Sequence, residues 1–379
     1  MGLICASVLL MRMARPLYAA IWALAGCASL VAILTATNAA KVVDNLFVGA
    51  QLLALLGFGV FVLTFNTLND PRFAQRVSIA FLIGQTLSSA VAVSQLLGHP
   101  IHVPGTVFGA AWGRAAGLTE APNTLGLMAC IGILLAASIL VVTIKSRIVV
   151  LVTLATNLLG ILASGSLSAL LALACGMLVF IVCNRDSFGR MALWAGAFVF
   201  AATVGLASGV AGVLSYLPSV TNRYMEVTGQ AAGGSSLEVR KLTYDFAWNK
   251  FAEDPIFGQG LSTKASGTYD GVMGVHNALL RAWYQGGILL AAAFALIMLA
   301  MLLAIAHAMI RKEIGGETSI LIATLVYAAV SPVLEQRQIW IPVLIAWASI
   351  SARRSYHNNS NSSVGSLTPI RQPHVRRVS

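Results

Sequence analysis

The sequence predicts an all-α protein: a polytopic transmembrane helix bundle of about ten spans, with both ends in the cytoplasm (N-in, C-in) and one large outer loop containing short helices. Three observations carry that prediction. Of 379 residues, 58% are hydrophobic and only 10% are charged, against about 45–50% and about 25% in soluble domains. Ten apolar stretches approach the length of a span. The basic residues concentrate in alternate connections between those stretches. The composition excludes a soluble enzyme, a disordered chain and a disulfide-rich secreted domain.

The ten stretches are 17–37, 46–65, 77–97, 123–144, 148–163, 167–183, 191–213, 277–310, 319–334 and 338–351. A spanning helix takes about 17–25 mostly apolar residues. The stretches 148–163, 319–334 and 338–351 are short by that measure and read as thin spans or re-entrant hairpins. Treating 148–183 or 319–351 as a hairpin removes two crossings together, so the orientation of the rest survives.

Orientation follows from Lys and Arg. The net charge of +11 comes from 24 Lys+Arg against 13 Asp+Glu. In a soluble protein it would suggest nucleic acid; here it reports sidedness. With the N-terminus inside, each short inner loop holds a basic pair, such as Arg72 with Arg76 or Arg311 with Lys312, and each short outer loop holds at most one basic residue. Arg12 and Arg15 follow the apolar start instead of preceding it, the reverse of a cleaved signal peptide. Segment 17–37 is therefore expected to be an uncleaved first span, with Met11 or Met13 as alternative starts.

The expected organisation is an N-terminal segment 1–16, helices and a first outer loop over 17–113, a central region 114–310, a hairpin of helices over 311–351 and a tail over 352–379. The tail is rich in Ser, Asn and Arg and is predicted to be a disordered, basic cytoplasmic end near anionic lipid. The five cysteines, Cys5, Cys27, Cys130, Cys175 and Cys183, lie in or beside apolar segments and read as small hydrophobes. No pair among the six histidines has metal-ligand spacing.

Polar chemistry collects in the two long outer loops, 98–122 and 214–276. In the larger, Gly233-Gly234 breaks the chain, and Ser235 with Glu238 reads as a capping box. A helix over about 236–252 should follow, stopped at Asp254-Pro255. Lys241, Asp245 and Asn249 form its solvated face. Arg240, Tyr244, Ala247, Trp248 and Phe251 form a partly apolar face turned to the bundle. Beyond it, Gly258 and Gly260 permit close backbone approach. His276 and Asn277 stand where the longest apolar stretch begins, with Asn277 as N-cap and His276 at the helix mouth as a candidate general base. The smaller loop ends with Arg114 and then Pro122-Asn123, which caps the re-entering helix; the N–H groups at that helix start suit an anion. Each residue alone has an ordinary reading: a headgroup anchor for Arg114, a stem laid over apolar surface for Arg240, a backbone-bonded interfacial His276, a flexible Gly connector. Two arginines, a helix N-terminus and a base on one side suit a phosphorylated lipid substrate.

The stretch 114–123 (R-x-x-G-x-x-x-x-P-N), the loop from Arg240 through Trp248 to D-P-I-F-G-Q-G, and His276-Asn277 followed by A-W-Y-Q-G-G-I resemble the O-antigen ligase/O-antigen polymerase family, polytopic glycosyltransferases of the GT-C type. The resemblance covers about 114–310. It implies transfer of a glycan from an undecaprenyl diphosphate carrier to an acceptor hydroxyl at the outer face of the bacterial inner membrane, without metal, cofactor or nucleotide sugar. The acceptor would be a growing glycan or lipid A core, other polysaccharide assembly proteins would be neighbours, and nucleic acid would have no part. Arg240 would hold the diphosphate and act with His276 as the catalytic pair. His276 would orient or deprotonate the acceptor. Arg114 would be a second phosphate contact, with Asn123, Asn277, Gly258 and Gly260 in support. Tyr244, Trp248 and Tyr284 read as sugar contacts or as interfacial packing, and packing is preferred. Many ligases carry Ser-Arg at the turn between the fifth and sixth spans. Here that turn is Ala163-Ser164-Gly165-Ser166-Leu167-Ser168, without Arg. Arg114 or Arg281 would have to substitute. The competing readings are an exporter of an amphipathic solute and a non-catalytic subunit of a polysaccharide assembly system.

Overall fold

The computed structural model describes residues 15–35, 42–70, 72–99, 101, 114–142, 147–184, 236–271, 274–311 and 315–364. The described residues are helical with connecting turns and contain no strand. The helices are α1 (Ala19–Thr35), α2 (Val42–Asn69, with a π-helical middle at Leu53–Gly59), α3 (Phe73–Leu96), α4 (Pro122–Val142), α5 (Arg147–Ser164), α6 (Leu167–Cys183), α7 (Ser236–Glu253), α8 (Thr263–Ser266), α9 (Ala278–Arg311), α10 (Gly315–Val330) and α11 (Arg337–Val364).

Val42–Asn69, Phe73–Leu96, Pro122–Ile139 and Ala278–Arg311 are long and apolar enough to cross a membrane; α1, Ile148–Ser164, α6 and α10 are apolar but shorter. The expected stretch 191–213, the loop residues 214–235 and the cap Ser235 lie outside the described residues. Helix α11 continues past residue 351 to Val364, so 352–364 is helical and not tail; 365–379 is outside the described residues.

Small residues let these helices approach closely, as expected where lipid supplies no hydrophobic drive between helices. Gly26 of α1 faces Gly57 of α2, and a β-carbon on Gly26 would come within 2.8 Å of the Gly57 Cα. Polar side chains knit α3 to α5. Ser89 donates to Asn157 Oδ1 at 3.1 Å, and Asn157 Nδ2 donates to Thr86 at 3.0 Å. Cys130 and Cys183 are buried, whereas Cys27 is exposed.

The long apolar stretch 277–310 is not one continuous helix. Gly287 adopts φ 73°, ψ −177° inside α9 and breaks it. The eight residues from Ala278 to Gln285 form a short entry helix, and the span proper begins after the break. The reason is local: Gly286-Gly287 has no β-carbons to resist that geometry, and only glycine takes it cheaply.

Contacts assign the helix ends to two opposite poles. The start of α9, the end of α10, the turn after α5 and the start of α4 share one pole. At the other, Asn184 meets Gly315, and Tyr356 donates to the Leu68 carbonyl.

Candidate active site

Helix α7 runs from Ser236 to Glu253 and ends before Asp254-Pro255, as its sequence predicts. Lys241, Asp245 and Asn249 are exposed. On the opposite face Ala247 is buried against Val275 and Tyr284, with Tyr244, Phe246 and Phe251 packed around them. Trp248 departs from the expected face: it is 57% exposed, with one edge against Trp283. Tyr284 is fully buried, edge-on to Phe246, which makes it a packing residue.

The glycine stretch is no loose connector. The break at Gly287 deprives the Tyr284 and Gln285 carbonyls of their helical donors. The backbone N–H groups of Gln259 and Gly260 supply them, at 2.7 and 3.0 Å. Ile288 N–H returns to the Pro255 and Ile256 carbonyls at 3.2 Å. Gly258 has φ 77°, and a β-carbon there would stand 2.6 Å from the Gln285 oxygen. The P-I-F-G-Q-G segment therefore docks backbone-on-backbone into the gap in α9. The same loop is tied to α2 by Ser262 N–H donating to Asn45 Oδ1 at 3.0 Å.

This docking sets the position of His276. Asn277 accepts from Leu280 N–H at 2.9 Å, the expected N-cap, and its Nδ2 donates to the Ala329 carbonyl of α10 at 3.1 Å. One turn along α7 from Arg240, Tyr244 donates its hydroxyl to the His276 carbonyl at 3.4 Å. The helix bearing Arg240 and the segment bearing His276 are thus in direct contact.

Arg114 comes from the other loop. Its Nε donates to the Ser164 carbonyl at 2.7 Å, and its Nη2 to Asn123 Oδ1. Pro122 is the first helical residue of α4, so Asn123 lies inside the helix; it aims the Arg114 guanidinium instead of capping. Ser164 belongs to the turn that lacks its own arginine, so Arg114 brings a guanidinium to that turn from elsewhere in the chain. The charges of Arg114 and Arg240 both act on the Tyr327 phenol of α10, which is fully buried. Arg114 and Arg240 are thus both within electrostatic reach of Tyr327 in α10, to which the His276-Asn277 segment is tied at Ala329.

Arg281 does not join them as a spare cation. It is 5% exposed, and its Nη2 pairs with Glu335 Oε2 at 2.8 Å. Gln285 donates to the other Glu335 oxygen at 2.8 Å and to Ser266 at 3.3 Å. The phosphate role expected for Arg281 is corrected accordingly: a neutralised, buried guanidinium braces α9, α8 and the α10–α11 turn. Sequence reading missed Tyr327 and Glu335. The available signals were a tyrosine near the end of an apolar stretch and one carboxylate in the turn between two such stretches.

Residues 148–295 match the family described as O-antigen ligase. The match covers less than half of the chain, running from α5 into α9. It includes Arg240, Gly258, Gly260, His276, Asn277 and Arg281 but not Arg114. No curated protein matches the chain. The match bears out the resemblance to the O-antigen ligase/polymerase family that the motifs suggested.

Proposed function

We propose that this protein is an integral membrane glycosyltransferase of the O-antigen ligase/polymerase type, acting on a glycan linked to undecaprenyl diphosphate at the outer face of the bacterial inner membrane. The observation that carries the reading is that Arg114 and Arg240, from two separate connections, both act on the buried Tyr327 of α10, the helix to which the His276-Asn277 segment is tied at Ala329.

The chemistry follows from these groups. The acceptor hydroxyl attacks the anomeric carbon of the carrier-linked sugar. The new C–O bond forms as the bond to the diphosphate breaks, and undecaprenyl diphosphate leaves with the electron pair. Guanidinium groups stabilise that leaving charge through paired N–H donors. Arg240 serves first, with Arg114 beside the turn at Ser164. His276 takes the hydroxyl proton, and its position is fixed by the Asn277 cap and the Tyr244 contact. The basic pairs of the short loops support an orientation with this pole outside and both termini in the cytoplasm.

Arg240→Ala and His276→Ala, each expressed in cells lacking the native gene, test the reading. Both variants should abolish mature surface polysaccharide, and unchanged polymer with both would sink it, leaving a non-catalytic subunit. Deletion followed by analysis of carrier-linked glycan separates the two activities: long chains accumulate without a ligase, single repeats without a polymerase. The exporter reading predicts carrier-linked glycan confined to the inner leaflet instead.

A further inference from the structure

At the pole away from the candidate site, a cavity of about 400 Å³ lies between α3 and α11 and is floored by α4 and α10. That volume falls within the range of ligand sites. Its walls are largely apolar, with Ile79 and Phe81 from α3, Ile320 from α10, and Ile341 and Ile345 from α11. Ile79 and Ile341 are themselves exposed, so the cavity reaches the flank of the bundle.

Charge gathers at one end of it. Arg353 lines the cavity and pairs through Nη2 with Glu317 at 2.9 Å. Among the described residues, its buried Nε has no hydrogen-bond partner, nor do Nε and Nη2 of the adjacent Arg354. Arg72 and Arg76 stand at the start of α3 at this same pole, beside Gln75 of the lining. At this pole Arg353 is paired with Glu317 and Arg76 with Asp70, and Arg72 and Arg354 add two further guanidinium groups outside the cavity lining. The other end of the cavity, at Ile341, lies twelve helical residues from Arg353, or about 18 Å at 1.5 Å per residue. One leaflet offers about 15 Å of hydrocarbon.

A basic head region joined to an apolar slot one leaflet long matches a phospholipid phosphate and one acyl chain. We propose that this groove binds one anionic phospholipid of the leaflet on the Arg353 side, with its phosphate on Arg353 and an acyl chain along α3 and α11. The adjacent arginines favour an anionic lipid over a zwitterionic one.

Native mass spectrometry of the full-length protein in detergent, titrated with phosphatidylglycerol or phosphatidylcholine, tests this. The parent protein should retain one phosphatidylglycerol and release phosphatidylcholine. Arg353→Gln should weaken retention about fivefold, the factor one basic residue supplies at an anionic surface. Ser78→Phe, which fills the slot from a half-buried position on α3, should abolish retention with helix content unchanged by circular dichroism; it decides the matter if Arg353→Gln does not fold. Equal retention of both lipids, unchanged retention in Ser78→Phe, displacement by inorganic phosphate, or dimerisation through this face in place of lipid binding would each overturn the proposal.

Discussion

Removing the Glu335 carboxylate should unlatch the candidate site from its scaffold. In Glu335→Ala, Arg281 loses its 2.8 Å partner and Gln285 loses its own. The Arg281 side chain is only 6% accessible, so its charge cannot turn to water without local opening. Stripping one member from a buried ion pair costs about 3–5 kcal/mol. Glu335 retains 22% accessibility, which favours the lower end, about 3 kcal/mol. Arg281→Met with Glu335→Leu removes both charges together and should cost about 1 kcal/mol or less, since a well-packed apolar pair often replaces a buried ion pair without loss. Denaturant unfolding in detergent, run on Arg281→Met, Glu335→Leu and the double, gives the coupling energy. A coupling above about 2 kcal/mol is expected, with faster amide exchange over 255–271 in the singles. If each single variant lies within about 0.5 kcal/mol of the parent, as exposed pairs do, Arg281 is solvated and the bracing role is wrong.

Gly287→Ala should undock the 255–260 segment, because the new β-carbon collides with the Ile256 carbonyl in a conformation that favours glycine; limited proteolysis there should speed up, and a destabilisation of about 1–3 kcal/mol should accompany it. Asn277→Ala removes an N-cap worth about 1 kcal/mol as well as the tie to Ala329, so the stability loss should be modest while transfer falls further; equal losses in both would refute a positioning role. Gly26→Leu should drive α1 from α2 and lower the thermal midpoint in detergent, since the obstacle is the Gly57 backbone and not a movable side chain.

Much of this was legible in the sequence because bilayer chemistry writes in long words. Among the described residues, apolar runs located most helices within a few residues, and the Asp254-Pro255 stop closed α7 where expected. The Asn277 cap was equally local: one side chain, one turn, one N–H. What failed was non-local. The bend at Gly287 is stabilised by backbone donors at Gln259 and Gly260, far earlier in the chain, so nothing in the apolar stretch 277–310 itself marked the break. Asn123 looked like a cap until Arg114 was seen to occupy its side chain. Arg281 looked available until Glu335 was found against it across a gap of 54 residues. The extension of α11 to Val364 was missed because its polar last turns carry no apolar period.

The central claim is that Arg114, Arg240 and His276 form one transfer site. Its most direct test is glycan transfer by the full-length protein in lipid nanodiscs, from undecaprenyl diphosphate-linked glycan to a purified acceptor, for the parent protein, Arg240→Ala and His276→Ala. The account predicts transfer by the parent protein, a loss of about 10²–10³-fold on removing the Arg240 guanidinium and about 10²–10⁴-fold on removing the His276 imidazole, with both variants still folded. Transfer at the parent rate by either folded variant would contradict it.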